Sequence, residues 1–205
     1  MPLNLYIVDD DDAVRASLVR LLSGRAEYQV RCFASGTAFL ESCEHIAPGV
    51  VLLDYYMRGV DGLAVLNTLR SLSRRFVVIM LTAHGAVQRS VDAMKAGAFD
   101  FIEKPFDPEV LLLSLDASFI ELDHSLRQAA GRDEAIAQLA MLSPREAEVM
   151  AGLATGRSNK QIAWDLKISP RTVEVYRASL MDKLKARSLS HVLKLVFLAE
   201  GRPAL

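Results

Sequence analysis

Five times within roughly its first 110 residues the chain repeats one pattern: a short run rich in β-branched and aromatic residues, then a longer amphipathic run. The short runs, Leu3–Val8, Tyr28–Phe33, Val50–Asp54, Phe76–Thr82 and Phe99–Glu103, read as strands. The amphipathic runs between them read as helices with identifiable ends. Gly24 follows Val14–Ser23, and Gly97 follows Val87–Ala96. Ser35 is placed to cap the second helix, Gly62 opens the third, and Asp107 followed by Pro108 supplies an N-cap with proline at the first helical position. Strands linked through helices pair in parallel, and a parallel sheet needs cover on both faces. The near-continuous apolar runs Val50–Leu53 and Val77–Leu81 agree with such burial. The fold expected for this part is α/β, a doubly wound sheet of five parallel strands.

The fifth helix has no clean stop. From Pro108 to Leu142 the sequence favours helix throughout, interrupted only at Gly131. Its apolar positions Leu115, Ile120, Leu122, Leu126, Ile136 and Leu139 are loosely spaced, which fits either a solvated connector or a helix that pairs in a dimer. A new unit opens at Leu142. Ser143-Pro144-Arg145-Glu146 is a capping box with proline at N1 and Glu at N3. Gly156 ends that helix, Asn159–Leu166 forms a second, Lys167–Ile168 a tight turn, and Ser169-Pro170 caps a third running to about Leu184. Ser188–Leu198 forms a fourth. Four short helices, two of them joined by a short turn, predict a helix-turn-helix arrangement. The expected division is an α/β domain over 3–117, a helical linker over 118–141 and a smaller all-α four-helix domain over 142–205.

The net charge of −1 conceals an asymmetry: residues 1–120 carry −4, residues 121–141 carry −2, and residues 142–205 carry +5. A basic unit attached to an acidic one is the pattern expected when only the tail meets nucleic acid. Cys32 and Cys43 form no CxxC and have no histidine at metal-ligand spacing, so both read as ordinary thiols in a reducing compartment. No signal peptide precedes Leu3, and no apolar stretch approaches the ~20 residues of a membrane span. The expected location is therefore cytoplasmic, without membrane association.

The candidate chemistry lies at the strand ends. Asp9 and Asp10 follow the first strand directly, and Asp54 ends the third. In open parallel sheets functional groups gather at the carboxyl edge where the winding reverses. With first and third strands adjacent, as in the flavodoxin-like order, the three carboxylates converge across ~4.8 Å. Such a cluster repels itself unless a cation joins it, and an all-oxygen donor set suits Mg²⁺ or Mn²⁺. The same edge receives Thr82 from the fourth strand and Lys104 from just after the fifth. An acid pair, a lone aspartate, a hydroxyl and a lysine make a phosphoryl-accepting site: Asp54 as nucleophile toward phosphorus, metal and ammonium neutralising the transferred oxygens.

On these residues the chain from 3 to 115 resembles the receiver domain of two-component response regulators. The resemblance rests on Val8-Asp9-Asp10, Leu53-Asp54 with Met57 and Gly62 after it, Thr82-Ala83 and Lys104-Pro105-Phe106. It implies that a sensor histidine kinase phosphorylates Asp54. It implies further that Asp10, Asp54 and the Tyr56 carbonyl bind Mg²⁺ with Asp9 assisting through water, and that Thr82 and Lys104 hold the phosphoryl oxygens. Phe101 falls at the family's switch-aromatic position, and the Lys104–Pro105 bond is typically cis in such domains. One residue departs from the pattern: Arg58 stands where the family usually has proline, which removes a rigid φ and bears on loop geometry, metal affinity and phosphoryl lifetime. Tyr56 and His84 occupy the positions flanking the phosphoryl group, where Tyr56 is expected to shield an acyl phosphate and His84 reads as a loop side chain.

In the third helix of the tail, Val173, Tyr176, Leu180 and Leu184 recur at helical spacing and should face a small core. Glu174 and Val175 then become candidates to read a cytosine amino group and a thymine methyl. Arg171, Arg177, Lys160, Lys183 and Arg187 are phosphate candidates, with Thr172 a hydroxyl donor. Residues 142–201 resemble the LuxR-type DNA-binding domain through Leu142-Ser143-Pro144-Arg145-Glu146, Asn159-Lys160-Gln161-Ile162-Ala163, Ile168-Ser169-Pro170-Arg171-Thr172-Val173-Glu174, Lys183-Leu184 and Arg187-Ser188. The combination looks like the FixJ-type branch. It implies a non-enzymatic transcriptional regulator that dimerises on phosphorylation, binds promoter DNA and acts on RNA polymerase. Two other readings stay open: a phosphorylation-independent DNA-binding adaptor, and an aspartate-based phosphohydrolase using the Asp10-Asp11-Asp12-Ala13-Val14 run.

Overall fold

The computed structural model of the chain describes residues 3–72, 75–83 and 87–201. Five strands, β1 (Leu3–Val8), β2 (Tyr28–Phe33), β3 (Gly49–Asp54), β4 (Phe76–Ala83) and β5 (Asp100–Lys104), form one sheet in the order β2-β1-β3-β4-β5 with every neighbouring pair parallel. Helices α1 (Asp12–Leu22), α2 (Gly36–Ser42), α3 (Gly62–Leu72), α4 (Val87–Lys95) and α5 (Pro108–Leu139) follow the strands in turn. The doubly wound, flavodoxin-like sheet expected from the alternation is the observed one.

Strand periodicity divides the apolar residues between two cores. Tyr6, Val8, Val51, Leu53, Val78 and Met80 pack with Phe39, Val65, Leu66 and Ala93, on the face covered by α2, α3 and α4. Leu5, Ile7, Val50, Leu52, Ile79 and Leu81 pack with Leu18, Leu22, Leu111 and Leu115, on the face covered by α1 and α5. Strand β3 is buried along its whole length, so its sequence has no polar alternation until Asp54. Helix α1 starts earlier than its apolar pattern suggests, because the Asp11 side chain accepts the N–H groups of Ala13 and Val14 and caps it.

By its contacts the chain separates into two compact units, Met1–Leu126 and Arg127–Leu205. Helix α5 is continuous across that division. Of the stretch 118–141, Phe119 and Leu122 are buried in the core of the first unit, while Ala135 is buried in that of the second. Leu111, Leu115, Phe119 and Leu122 fall on one stripe at helical spacing, and Ala135 and Leu139 serve a different core, which is why the apolar spacing along the whole run looks loose.

The second unit adds α6 (Pro144–Ala154), α7 (Asn159–Leu166), α8 (Pro170–Lys183) and α9 (Leu189–Ala199). Val149, Leu153, Ile162, Val173, Leu180, Leu184, Val192 and Leu195 form its core. Serines cap all four: Ser143, Ser158, Ser169 and Ser188, the first two as full capping boxes with Glu146 and Gln161. Lys167, at φ 55°, makes the left-handed corner between α7 and α8. No helix among the described residues is long and apolar enough to cross a membrane.

Candidate functional site

Strand order brings the acidic residues together. Val8 and Leu53 are register partners on β1 and β3, so the residues that follow them, Asp9 and Asp54, emerge side by side at the carboxyl edge. One carboxylate oxygen from each of Asp9, Asp10 and Asp54 lies within 4.8 Å of the others. Asp9 and Asp54 are buried. Lys104, at the end of β5, places its Nζ 2.6 Å from Asp9 Oδ2 and 2.6 Å from Asp54 Oδ1. The second Asp9 oxygen accepts the Asp11 N–H at 2.9 Å, which fixes the carboxylate's orientation.

Burial pushes the Asp54 carboxyl above the usual carboxylate range; Lys104 works against that shift, and the charges of Asp9 and Asp10 add to it. Burial alone would pull the Lys104 ammonium down, but its hydrogen bonds to Asp54 and Asp9 overcome this and leave it raised. The lysine is therefore firmly cationic where a transferred anion would need it.

Thr82 lies on β4, one residue beyond the Asp54 partner Leu81. It is fully buried, and its Oγ1 is the single buried side-chain polar atom without a hydrogen-bond partner among the described residues. A buried hydroxyl left unsatisfied costs stability and points to a role met only when another group arrives. Phe101 on β5 pairs in register with Met80 and is partly buried against the α2–α4 core. The Lys104–Pro105 peptide is cis, as the resemblance implies.

The loop after Asp54 returns tightly to the strand. The Gly62 N–H donates to the Tyr55 carbonyl at 3.1 Å, and a Cβ at Gly62 would collide with the Asp54 carbonyl oxygen, so only glycine fits there. Within this loop the Tyr56 ring is 44% exposed and packs edge-on to Tyr55. Arg58 turns back onto Asp10: its backbone N–H lies 3.2 Å and its Nε 3.1 Å from Asp10 Oδ2. That backbone bond is one a proline could not make. His84 lies outside the described residues.

The acidic donor set fits a hard divalent cation. Three carboxylates with no sulfur or nitrogen among them are ligands of the Mg²⁺ or Mn²⁺ class. Asp12, by contrast, stands away from the cluster on α1, its side chain 92% exposed and paired with Arg15.

In the second unit α8 turns Val173 and Leu180 inward and leaves Arg171, Glu174, Val175 and Arg177 exposed, with Val175 62% accessible. Thr172 bonds through its hydroxyl to Ser169 at 2.8 Å. Lys160 on α7 and Arg187 after α8 are also exposed. Lys183 is exposed too, and it also makes an ion pair. Its Nζ sits 2.7 Å from Oε2 of Glu146, a buried carboxylate that also takes a 2.6 Å bond from Ser179. The lysine's side chain stays 41% exposed, so this cation is shared between Glu146 and solvent.

A profile of the response regulator receiver domain matches residues 5–116, more than half the chain. The chain belongs to the response regulators. A second profile, of bacterial regulatory proteins of the luxR family, matches residues 140–196 of this response regulator. It is 43% identical over 204 residues to the transcriptional regulatory protein FixJ of Azorhizobium caulinodans, covering 98% of the chain and 95% of that relative. Among solved structures it resembles full-length FixJ from B. japonicum, with 39% identity, 98% coverage of both chains and a TM-score of 0.58. It also resembles the response regulator StyR, with 34% identity, 96% and 98% coverage and a TM-score of 0.75. The response regulator thus joins a receiver to a LuxR-type DNA-binding domain, the architecture of two-component transcriptional regulators.

Two contacts of this response regulator escape sequence reasoning. The Lys183–Glu146 pair needs the adjacency of α6 and α8, and only the local half of Glu146's role, in the capping box, is visible from spacing. The Arg58–Asp10 pair spans 48 positions; the missing proline marked position 58 but gave no sign of its partner.

Proposed function

We propose that this response regulator is a phosphorylation-switched transcription factor in which Asp54 accepts a phosphoryl group from a phosphohistidine of a sensor kinase. An Asp54 carboxylate oxygen forms the new P–O bond as the P–N bond to the kinase histidine breaks and the histidine nitrogen leaves with the electron pair. Asp9, Asp10, Asp54 and the Tyr56 carbonyl would hold Mg²⁺ or Mn²⁺, which supplies charge neutralisation at the transferred oxygens. Lys104 leaves its bridging position between Asp9 and Asp54 to meet one phosphoryl oxygen, and the Thr82 hydroxyl meets another. Phe101, the aromatic residue of β5 nearest the site in sequence, follows Thr82 inward. The observation that carries this reading is the lysine bridging two buried aspartates, one strand away from a buried hydroxyl with no partner.

Phosphorylation then promotes a homodimer that sets two copies of α8 in successive major grooves of promoter DNA. Glu174 and Val175 read base edges, while Lys160, Arg171, Thr172, Arg177 and Arg187 hold the backbone; the DNA-bound dimer acts on RNA polymerase. A phosphohydrolase built on Asp10 and Asp12 is not supported, since Asp12 points into solvent from α1. The test is selection from a random duplex pool with and without acetyl phosphate and Mg²⁺. A sequence enriched strongly only with the phosphoryl donor supports the switch. Equal enrichment in both arms, unchanged in Asp54→Asn, supports the adaptor reading instead.

A further inference from the structure

Each carboxylate of the acidic cluster already has a protein cation. Lys104 takes Asp9 and Asp54, and Arg58 takes Asp10, with both its amide and its guanidinium on the same oxygen, Oδ2. The two cations differ in how firmly they are held. The Lys104 side chain is largely covered, 21% exposed, whereas that of Arg58 is 92% exposed and reaches Asp10, itself 23% exposed, from the solvent side. A guanidinium so placed can swing away without breaking any packing, and an ion entering from solvent meets it first.

We propose that Arg58 is a competitive gate on divalent-ion entry: its guanidinium occupies Asp10 until the ion displaces it, which raises the ion concentration at which the receiver becomes competent for phosphorylation. The inference rests on reading the acidic cluster as a divalent-ion site. It assigns Arg58 a regulatory position rather than a catalytic one, because the residue acts through Asp10. Exposed arginine–carboxylate pairs are weak, so the gate tunes affinity and does not close the site. Electrostatics add to the contact: a monovalent cation within about 4 Å of the ligand oxygen repels the approaching ion, and solvent exposure keeps that repulsion modest.

The test is Mn²⁺ binding to the full chain, followed by loss of the free-ion electron paramagnetic resonance signal. Arg58→Ala, which keeps the backbone N–H but removes the guanidinium, should bind Mn²⁺ about two- to fivefold more tightly than wild type. Arg58→Lys, which keeps the charge, should lie closer to wild type. In an Asp10→Asn background the gain from Arg58→Ala should disappear, since the contact it relieves is gone. Unchanged or weaker binding in Arg58→Ala overturns the gate. The same gain in the Asp10→Asn background also overturns it, by showing a general charge effect. Failure of wild type and Arg58→Ala alike to take up Mn²⁺ would instead refute the ion site itself, a result distinguishable from failure of the gate.

Discussion

Lys183, in the last turn of α8, ties the helix that carries the exposed Arg171, Glu174 and Val175 to the buried Glu146 in the first turn of α6, at 2.7 Å. One carboxylate thereby completes a capping box, accepts from Ser179 and anchors the last turn of α8. Lys183→Ala should lower the melting temperature of the C-terminal domain by several degrees, because a buried carboxylate loses its charged partner. Calorimetry of the full chain checks this through the transition assigned to that domain. An unchanged transition would show that the pair is ornamental.

The same group makes a pH prediction. Hydrogen bonds from Lys183 first, then Ser179 and the Ser143 backbone, hold the Glu146 carboxyl at about 2, against an ordinary 4.5. A group whose folded value is depressed stabilises the fold above its unfolded value and loses that contribution as pH falls. The Glu146 contribution should therefore be full above pH 4.5 and drain away on acidification toward about 2. Melting curves of wild type and Glu146→Gln across this window should converge as the pH drops; parallel curves would contradict the assignment.

Thr82→Val should stabilise the receiver while uncoupling it. The valine fills the same volume and removes a buried hydroxyl that has no partner, a change worth about 1 kcal/mol in favour of folding. The variant should still take phosphate on Asp54, yet its DNA affinity should no longer respond. Chemical denaturation and paired binding curves with and without acetyl phosphate check both halves.

Tyr56, 44% exposed beside Asp54, should restrict water at the acyl phosphate. Tyr56→Asn is expected to lose its phosphoryl group severalfold faster than wild type. Phosphoryl lifetime followed by mass spectrometry measures this directly, and an equal or longer lifetime sinks the shielding role.

DNA binding should weaken steeply with salt, the slope reporting how many phosphates are neutralised. Alanine at Arg171, Arg177, Lys160 or Arg187 should each reduce that slope by about one unit. Lys183→Ala should leave the slope nearly intact, because its charge is already neutralised by Glu146. Titrations at several salt concentrations separate the two classes.

The centre of the sheet was legible because its inner strands β3 and β4 carry the runs Val50–Leu53 and Val77–Leu81 without alternation, as two-sided burial requires. Asp9, Asp54 and Thr82 stood out as polar residues where apolar runs stop, and Lys104 as a lysine at the matching end of the fifth strand. What spacing could not convey was which polar groups touch. Lys104 bridges residues 95 and 50 positions away, and Arg58 reaches back 48; both depend on strand order and on a loop path pinned by Gly62. The stretch 118–141 was opaque because Phe119 and Leu122 serve one core and Ala135 another, so no single periodicity runs through it.

Asp54 is the proposed seat of the phosphoryl group. The most direct test of that role is the intact mass of the full chain after incubation with acetyl phosphate and Mg²⁺, with the adduct then mapped by peptide fragmentation. A single phosphoryl adduct on Asp54, absent in Asp54→Asn and absent without a divalent ion, is the predicted result. An unmodified mass, or an adduct that persists in Asp54→Asn, would contradict it.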